Sequence, residues 1–169
     1  MSYNSNNTTT LTEILPETDS RYSALEQLIG IIPPFYIINH QVDLLNFESH
    51  LYINYKNKLT FTSSCCGVGG CKVHSKSHRI FRTLDILNTK TFIHMDVPRI
   101  KCLKCGKIIT LELPWIDKNF RLTKQFVQRV IALSEFLPFT TVSKVMGESD
   151  TRLSAIAHKS VVKARENLD

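Results

Sequence analysis

C-G-V-G-G-C at residues 66–71 and C-L-K-C-G at residues 102–106 are the stretches on which the reading of this chain turns. Thiolates are good ligands for Zn²⁺, which takes four of them in a tetrahedron when two tight loops each present a pair. In the second loop two residues separate Cys102 from Cys105, and Gly106 permits the backbone turn that aims both sulfurs at one point. The first loop is longer, with four residues between Cys66 and Cys71, three of them glycine. That spacing stays within the range of zinc ligands, so Cys66, Cys71, Cys102 and Cys105 are the expected set and Zn²⁺ the expected cofactor. Cys65 rivals Cys66 for its place, and His74 is a substitute ligand. Four cysteine ligands leave no open position for water, which makes the metal structural and not catalytic.

Outward from the cysteines the pattern is that of strands. Leu51, Ile53 and Tyr55 alternate with His50, Tyr52 and Asn54. Ile80, Leu84 and Ile86 alternate with Phe81, Thr83 and Asp85, and after a turn at Asn88 come Thr91, Ile93, Met95 and Val97. These two runs predict a hairpin whose far end, from Pro98 to Lys101, leads into the second cysteine loop. Before the strands, Ser20 to Gly30 predicts a short helix with Leu25, Leu28 and Ile29 on one side, and Pro33-Pro34 starts an extended segment.

From Leu122 the period becomes helical. Phe126, Val127, Val130, Ile131 and Ser134 share one face, and Pro138 stops the run. The segment T-V-S-K-V-M-G-E-S-D-T-R-L-S-A-I (141–156) then has the layout of a helix-turn-helix. Val142 and Val145 are expected to face inward, Gly147 to make the turn, and Ser149 or Asp150 to cap the next helix. Leu153 and Ile156 pack back, which leaves Arg152, Ala155, Lys159 and Lys163 in one stripe with His158 beside it. Such a stripe suits a DNA groove, since a small side chain allows close approach and its methyl can touch thymine. An amphipathic helix always has a solvated face, and that is the plain alternative.

Charge agrees with a polyanionic partner. Residues 1–64 carry three Lys/Arg and six Asp/Glu, whereas residues 65–169 carry eighteen and nine. Nine Lys/Arg and two Asp fall between Lys72 and Lys107, so that the cysteine unit can grip phosphates through Lys76, Arg79 and Lys104. Ser149 and Thr151, at the start of the last helix, join the expected DNA contacts. No apolar run reaches the roughly 18 residues of a membrane helix, and the polar start MSYNSNNTTT is unlike a secretory signal, so a cytoplasmic, nucleoid-associated protein is expected.

The stretches C-G-V-G-G-C-K-V-H (66–74), R-I-F-R-T-L-D-I (79–86), P-R-I-K-C-L-K-C-G-K (98–107), L-P (113–114) and R-L-T (121–123) together resemble the N-terminal region of ISL-three-type insertion-sequence transposases. The resemblance spans roughly residues 25–165 and implies a two-pair zinc finger, a helix-turn-helix and recognition of transposon ends. The first pair departs from the tight C-x-x-C-G usual in that family. The carboxylates of the family's catalytic domain find no counterpart in Asp85, Asp96, Glu112 and Asp117, so no enzymatic activity is expected.

The expected fold is α+β: a disordered tail (1–20), a zinc-ribbon-like β-rich unit with an N-terminal helix (21–117), and a helix-turn-helix unit (118–169). The expected partner is double-stranded DNA, with a homodimer allowed. A protein-interaction adaptor using the acidic first third and Pro33-Pro34-Phe35-Tyr36 is the alternative function. An enzyme with Cys65 as nucleophile and His74 or His78 as base is the weakest reading.

Overall fold

The computed structural model describes residues 21–56 and 58–166, with the side chains of 160, 161 and 163–166 left aside; the expected tail at 1–20 lies outside the described residues. The fold is α+β, a curled sheet followed by a helical unit. In order the elements are α1 (Ser23–Ile29), β1 (Phe35–Asp43), β2 (Glu48–Tyr55), β3 (Thr60–Phe61), β4 (Cys71–Arg82), β5 (Lys90–Lys101), β6 (Ile108–Thr110), β7 (Ile116–Asp117), β8 (Leu122–Thr123), α2 (Lys124–Ser134), α3 (Phe139–Met146) and α4 (Asp150–Glu166). The main path of the sheet runs β1-β2-β5-β4-β8-β7, with β3 added to β4 and β6 to β5.

Two long hairpins form the centre of the sheet. In the first, β1 and β2 pair antiparallel, and the Asp43 carboxylate accepts the N–H groups of Leu45 and Asn46 to close the turn. In the second, β4 and β5 pair antiparallel from Val73↔Ile100 to Arg82↔Phe92. Its turn sits at Leu87 and Asn88, both at positive φ, where the sequence places it. Strand β5 then lies parallel to β2, from Glu48↔Lys90 to Ile53↔Met95.

The hairpin differs from expectation in extent and in facing. Strand β4 begins at Cys71 and ends at Arg82, so Thr83 to Ile86 form the approach to the turn and not a strand. Phe81 is the buried member of its pair at 4% exposure while Ile80 is 46% exposed. Directly opposite residues share a face, and Phe81 is opposite Ile93, which is fully buried. The buried face of β5 therefore decides which residues of β4 turn inward. Leu28 of α1 is likewise exposed, and the short helix is anchored by Ile29 and by the buried Glu26, whose carboxylate accepts the Ile37 N–H at 2.6 Å.

Two apolar cores result. One lies under the sheet and gathers Ile29, Phe35, Ile37, Leu51, Ile53, Met95 and Trp115, among others. The second holds Leu122, Phe126, Val130, Val142, Met146, Leu153 and Ile156 between the helices. Arg82 joins the sheet to the second core. Its buried guanidinium lies 5.4 Å from the ring centres of both Phe92 and Phe126, donates to the carbonyls of Thr83 and Thr91, and pairs with Asp85. The β7–β8 hairpin straddles residues 117 and 118, with Ile116 in the first core and Leu122 in the second. No helix among the described residues is long and apolar enough to cross a membrane.

Candidate metal centre and nucleic-acid interface

The two cysteine loops fold alike. In the second, the Gly106 N–H donates to the Cys102 carbonyl at 3.0 Å, and Gly106 takes a φ of 69°. In the first, the Gly67 N–H donates to the Ser63 carbonyl at 2.9 Å, and Gly67 takes a φ of 66°. Each loop is thus one hydrogen-bonded turn closed by a left-handed glycine, a conformation that costs glycine little. Superposing the two turns in sequence sets Ser63 against Cys102 and Cys66 against Cys105.

This geometry selects a different set of sulfurs. The Sγ atoms of Cys65, Cys66, Cys102 and Cys105 all lie within 4.8 Å of one another, and Cys65 and Cys105 are 3.5 Å apart. Zn–S bonds of about 2.3 Å in a tetrahedron place sulfurs about 3.8 Å from one another, so the donor set fits. Cys71 is not among them. It is buried at the start of β4, and its thiol donates to the Val68 carbonyl at 3.3 Å. The pairing of β3 with β4, which sets Phe61 opposite Cys71, commits that residue to the sheet. The rival, Cys65, occupies the place expected for Cys71, and His74 lies along β4 outside the cluster.

The thiols do not share charge evenly. The Ser63 hydroxyl, 3.4 Å from the Cys102 sulfur, and the Cys105 backbone stabilise the Cys102 thiolate and bring its pKa down to about 6. Hydrogen bonding with Cys105, together with desolvation, pushes Cys66 up to about 12 and raises Cys65 as well. Four converging sulfurs with one readily ionised offer a donor set suited to a divalent cation, whose binding would displace the remaining thiol protons.

The helical unit is built for a tight turn. Thr123 caps α2 by accepting the Phe126 N–H. Helix α3 ends at Gly147, whose φ is 62°, and a Cβ there would come within 2.9 Å of Lys90. The Ser149 hydroxyl accepts the Arg152 N–H at 3.4 Å, which makes Ser149 the expected cap of α4. Val142, Leu153 and Ile156 are fully buried as expected, but Met146 takes the inward place foreseen for Val145, which is 58% exposed.

On α4 the structure leaves Thr151, Ser154, Ala155 and His158 exposed. Arg152 is turned away from them. Its guanidinium donates to Glu148 at 2.8 Å and to the Phe120 carbonyl at 2.6 Å, which ties α4 to the loop before β8. Lys159 follows it, with its ammonium 5.1 Å over the Phe120 ring. Of the remaining expected contacts, Lys76 lies over the Tyr55 ring, Arg79 is half-buried on β4, and Lys104 is exposed in the second cysteine loop. The side chain of Lys163 lies outside the described residues. Sequence reasoning passed over Ser63, Ser154 and Phe120. The first could have been found by aligning S-S-C-C-G (63–67) with C-L-K-C-G (102–106).

Residues 111–161 match the family model for the helix-turn-helix domain of transposase family ISL3. The matched stretch takes in β7, β8, α2 and α3, and α4 as far as residue 161. No curated protein and no solved structure was found to be similar to the chain.

Proposed function

We propose that this chain is a DNA-binding module without catalytic activity, in which a structural Zn²⁺ fixes the cysteine loops and α4 enters the major groove. One observation carries the reading: the stretch similar to the transposase domain coincides with a three-helix unit that has a left-handed glycine turn and a capped, exposed last helix. Thr151, Ser154, Ala155 and His158 are the groups assigned to base edges. Arg152 is assigned to positioning, because both of its terminal nitrogens already donate within the protein. Lys76, Arg79, Lys104 and Lys159 are assigned to phosphates, and the similarity points to transposon ends as the DNA. Zn²⁺ would be held by Cys65, Cys66, Cys102 and Cys105.

Fluorescence anisotropy with duplex DNA tests this reading. Wild-type protein is expected to bind more tightly at low salt, and Ala155→Glu, which sets a carboxylate against the bases, should remove sequence preference. Binding that is absent even at low salt overturns the reading and favours the adaptor. For the adaptor, the exposed Leu44, Leu45 and Phe47 at the β1–β2 turn offer an apolar contact.

A further inference from the structure

Between the sheet and the helical unit lies an open cleft of about 1040 Å³. Its cationic side chains come from four places: Arg79 on β4, Lys118 and Arg121 in the loop between β7 and β8, Lys124 at the start of α2, and Lys159 on α4. Two carboxylates share the lining, Glu112 and Asp117, and the latter already accepts the Asn119 N–H at 2.8 Å. Among the described residues, none of the five cations makes an ion pair. The Nε of Arg79 is buried and has no hydrogen-bond partner, so this donor lacks the acceptor that burial calls for.

The loop that presents two of these cations is held firmly. Arg121 sits at a φ of 52°, and its carbonyl accepts the Arg82 N–H at 3.1 Å. Phe120 is fixed from the other side by Arg152 and Lys159. A non-glycine residue in left-handed backbone is uncommon, and here it stands beside unpaired charge.

We propose that this cleft receives the sugar–phosphate backbone of one DNA strand, next to the duplex segment read by α4. The inference rests on the DNA-binding reading and adds a second contact surface to it. Phosphate oxygens suit the ligand role because they accept from several donors at once and neutralise charges drawn from separate elements. The apolar floor, with Phe81, Ile116 and Val127, lies beside sugar carbons rather than water.

The zinc-loaded full chain carrying Lys118→Gln, Arg121→Gln and Lys124→Gln tests the cleft. All three side chains are exposed, so folding should survive, and circular dichroism checks it. Each lost phosphate contact lowers the slope of log affinity against log salt by about 0.9, so the triple variant should lose about 2.7. Hydroxyl-radical footprinting should show protection lost on one strand beside the α4 site. The matched variant Arg21→Gln, Lys56→Gln, Lys58→Gln, which removes three cations elsewhere, should keep both slope and footprint. If the triple variant proves unfolded, Lys118→Glu alone should still lower the slope by about 0.9 or more. An unchanged slope and footprint in the cleft variant, while Ala155→Glu still weakens binding, overturns the cleft and leaves the DNA-binding reading standing. Failure of the wild-type chain to bind any duplex overturns both.

Discussion

Ser63 and Cys102 hold matching places in matching turns, yet one is a hydroxyl and the other a thiol. The first loop answers this difference by supplying its sulfur from Cys65, two residues later, which is why the cluster forms without Cys71. The consequence is a pair of opposed outcomes. Cys65→Ser should lower Zn²⁺ affinity by more than about 100-fold, beyond the 10–100-fold that losing a supporting residue costs. Cys71→Ser should keep a full equivalent of metal and lose only about 1 kcal/mol of stability, the ordinary effect of a point change. Adding Ser63→Cys to the Cys65→Ser chain should restore affinity, since the Ser63 side chain already stands 3.4 Å from the Cys102 sulfur. Competition with a chelator of known affinity measures all three. Retained affinity in Cys65→Ser, together with loss in Cys71→Ser, would sink this ligand set. The sequence shows two loops and their glycines plainly. It does not show whether Cys65 or Cys71 joins Cys66 in the cluster, because that depends on the pairing of β3 with β4.

At the scale of single elements, the outer face of the sheet collects histidines. His50 on β2 and His94 on β5 are joined at 2.9 Å, and His78 on β4 stands 6.0 Å from His94 between ring centres. Glu48 lies 3.4 Å from His50 and Asp96 lies 3.1 Å from His78, so each of these two imidazoles has a carboxylate neighbour. Tyr52 stacks on His94, which has no such carboxylate, and desolvation with the nearby His50 and His78 holds its pKa below the ordinary value. A base depressed in the folded state binds protons more readily once unfolded. Its contribution to stability is therefore full above about pH 6.5 and is lost as pH falls toward the folded value. The thermal midpoint of the wild-type chain should drop more between about pH 7 and pH 5 than that of His94→Gln. Equal drops would show that His94 is not the group that titrates. The alternation of β2 and β5 made this face legible in the sequence, because β2 keeps period two throughout and β5 keeps it from Lys90 to Val97. The facing of β4 was not legible. Ile80 and Phe81 are both apolar, and only the register against Ile93 decides between them. Helix α3 failed in the same way at Val145, since Met146 serves equally well as an inward residue.

For the whole molecule, the question is whether two cores make one folding unit. The expected break at 117/118 falls within the β7–β8 hairpin, whose strands carry Ile116 of the first core and Leu122 of the second. Arg82 strengthens the junction: it pairs with Leu122 through the backbone, while its side chain lies between the rings of Phe92 and Phe126. Nothing in the local sequence around R-I-F-R (79–82) marks Arg82 as buried, since the residues that enclose it come from β5 and α2. Small single domains usually unfold in one step, and contacts of this kind are what make two cores behave so. Two probes report the cores separately. Trp115, the single tryptophan, is buried in the first, and the helical circular dichroism comes mainly from α2, α3 and α4 around the second. Their thermal transitions should coincide in the zinc-loaded wild-type chain. Arg82→Met keeps apolar bulk but removes the charge, its carbonyl contacts and the pair with Asp85. It should destabilise the chain by roughly 2–4 kcal/mol, toward the lower end of what breaking a buried ion pair costs because Asp85 is partly exposed. The two transitions should also separate, with the helical unit melting first because it has the smaller core and no metal ligands. Coincident transitions in the variant would show that the β7–β8 hairpin alone couples the cores, and separate transitions in the wild type would show that nothing does.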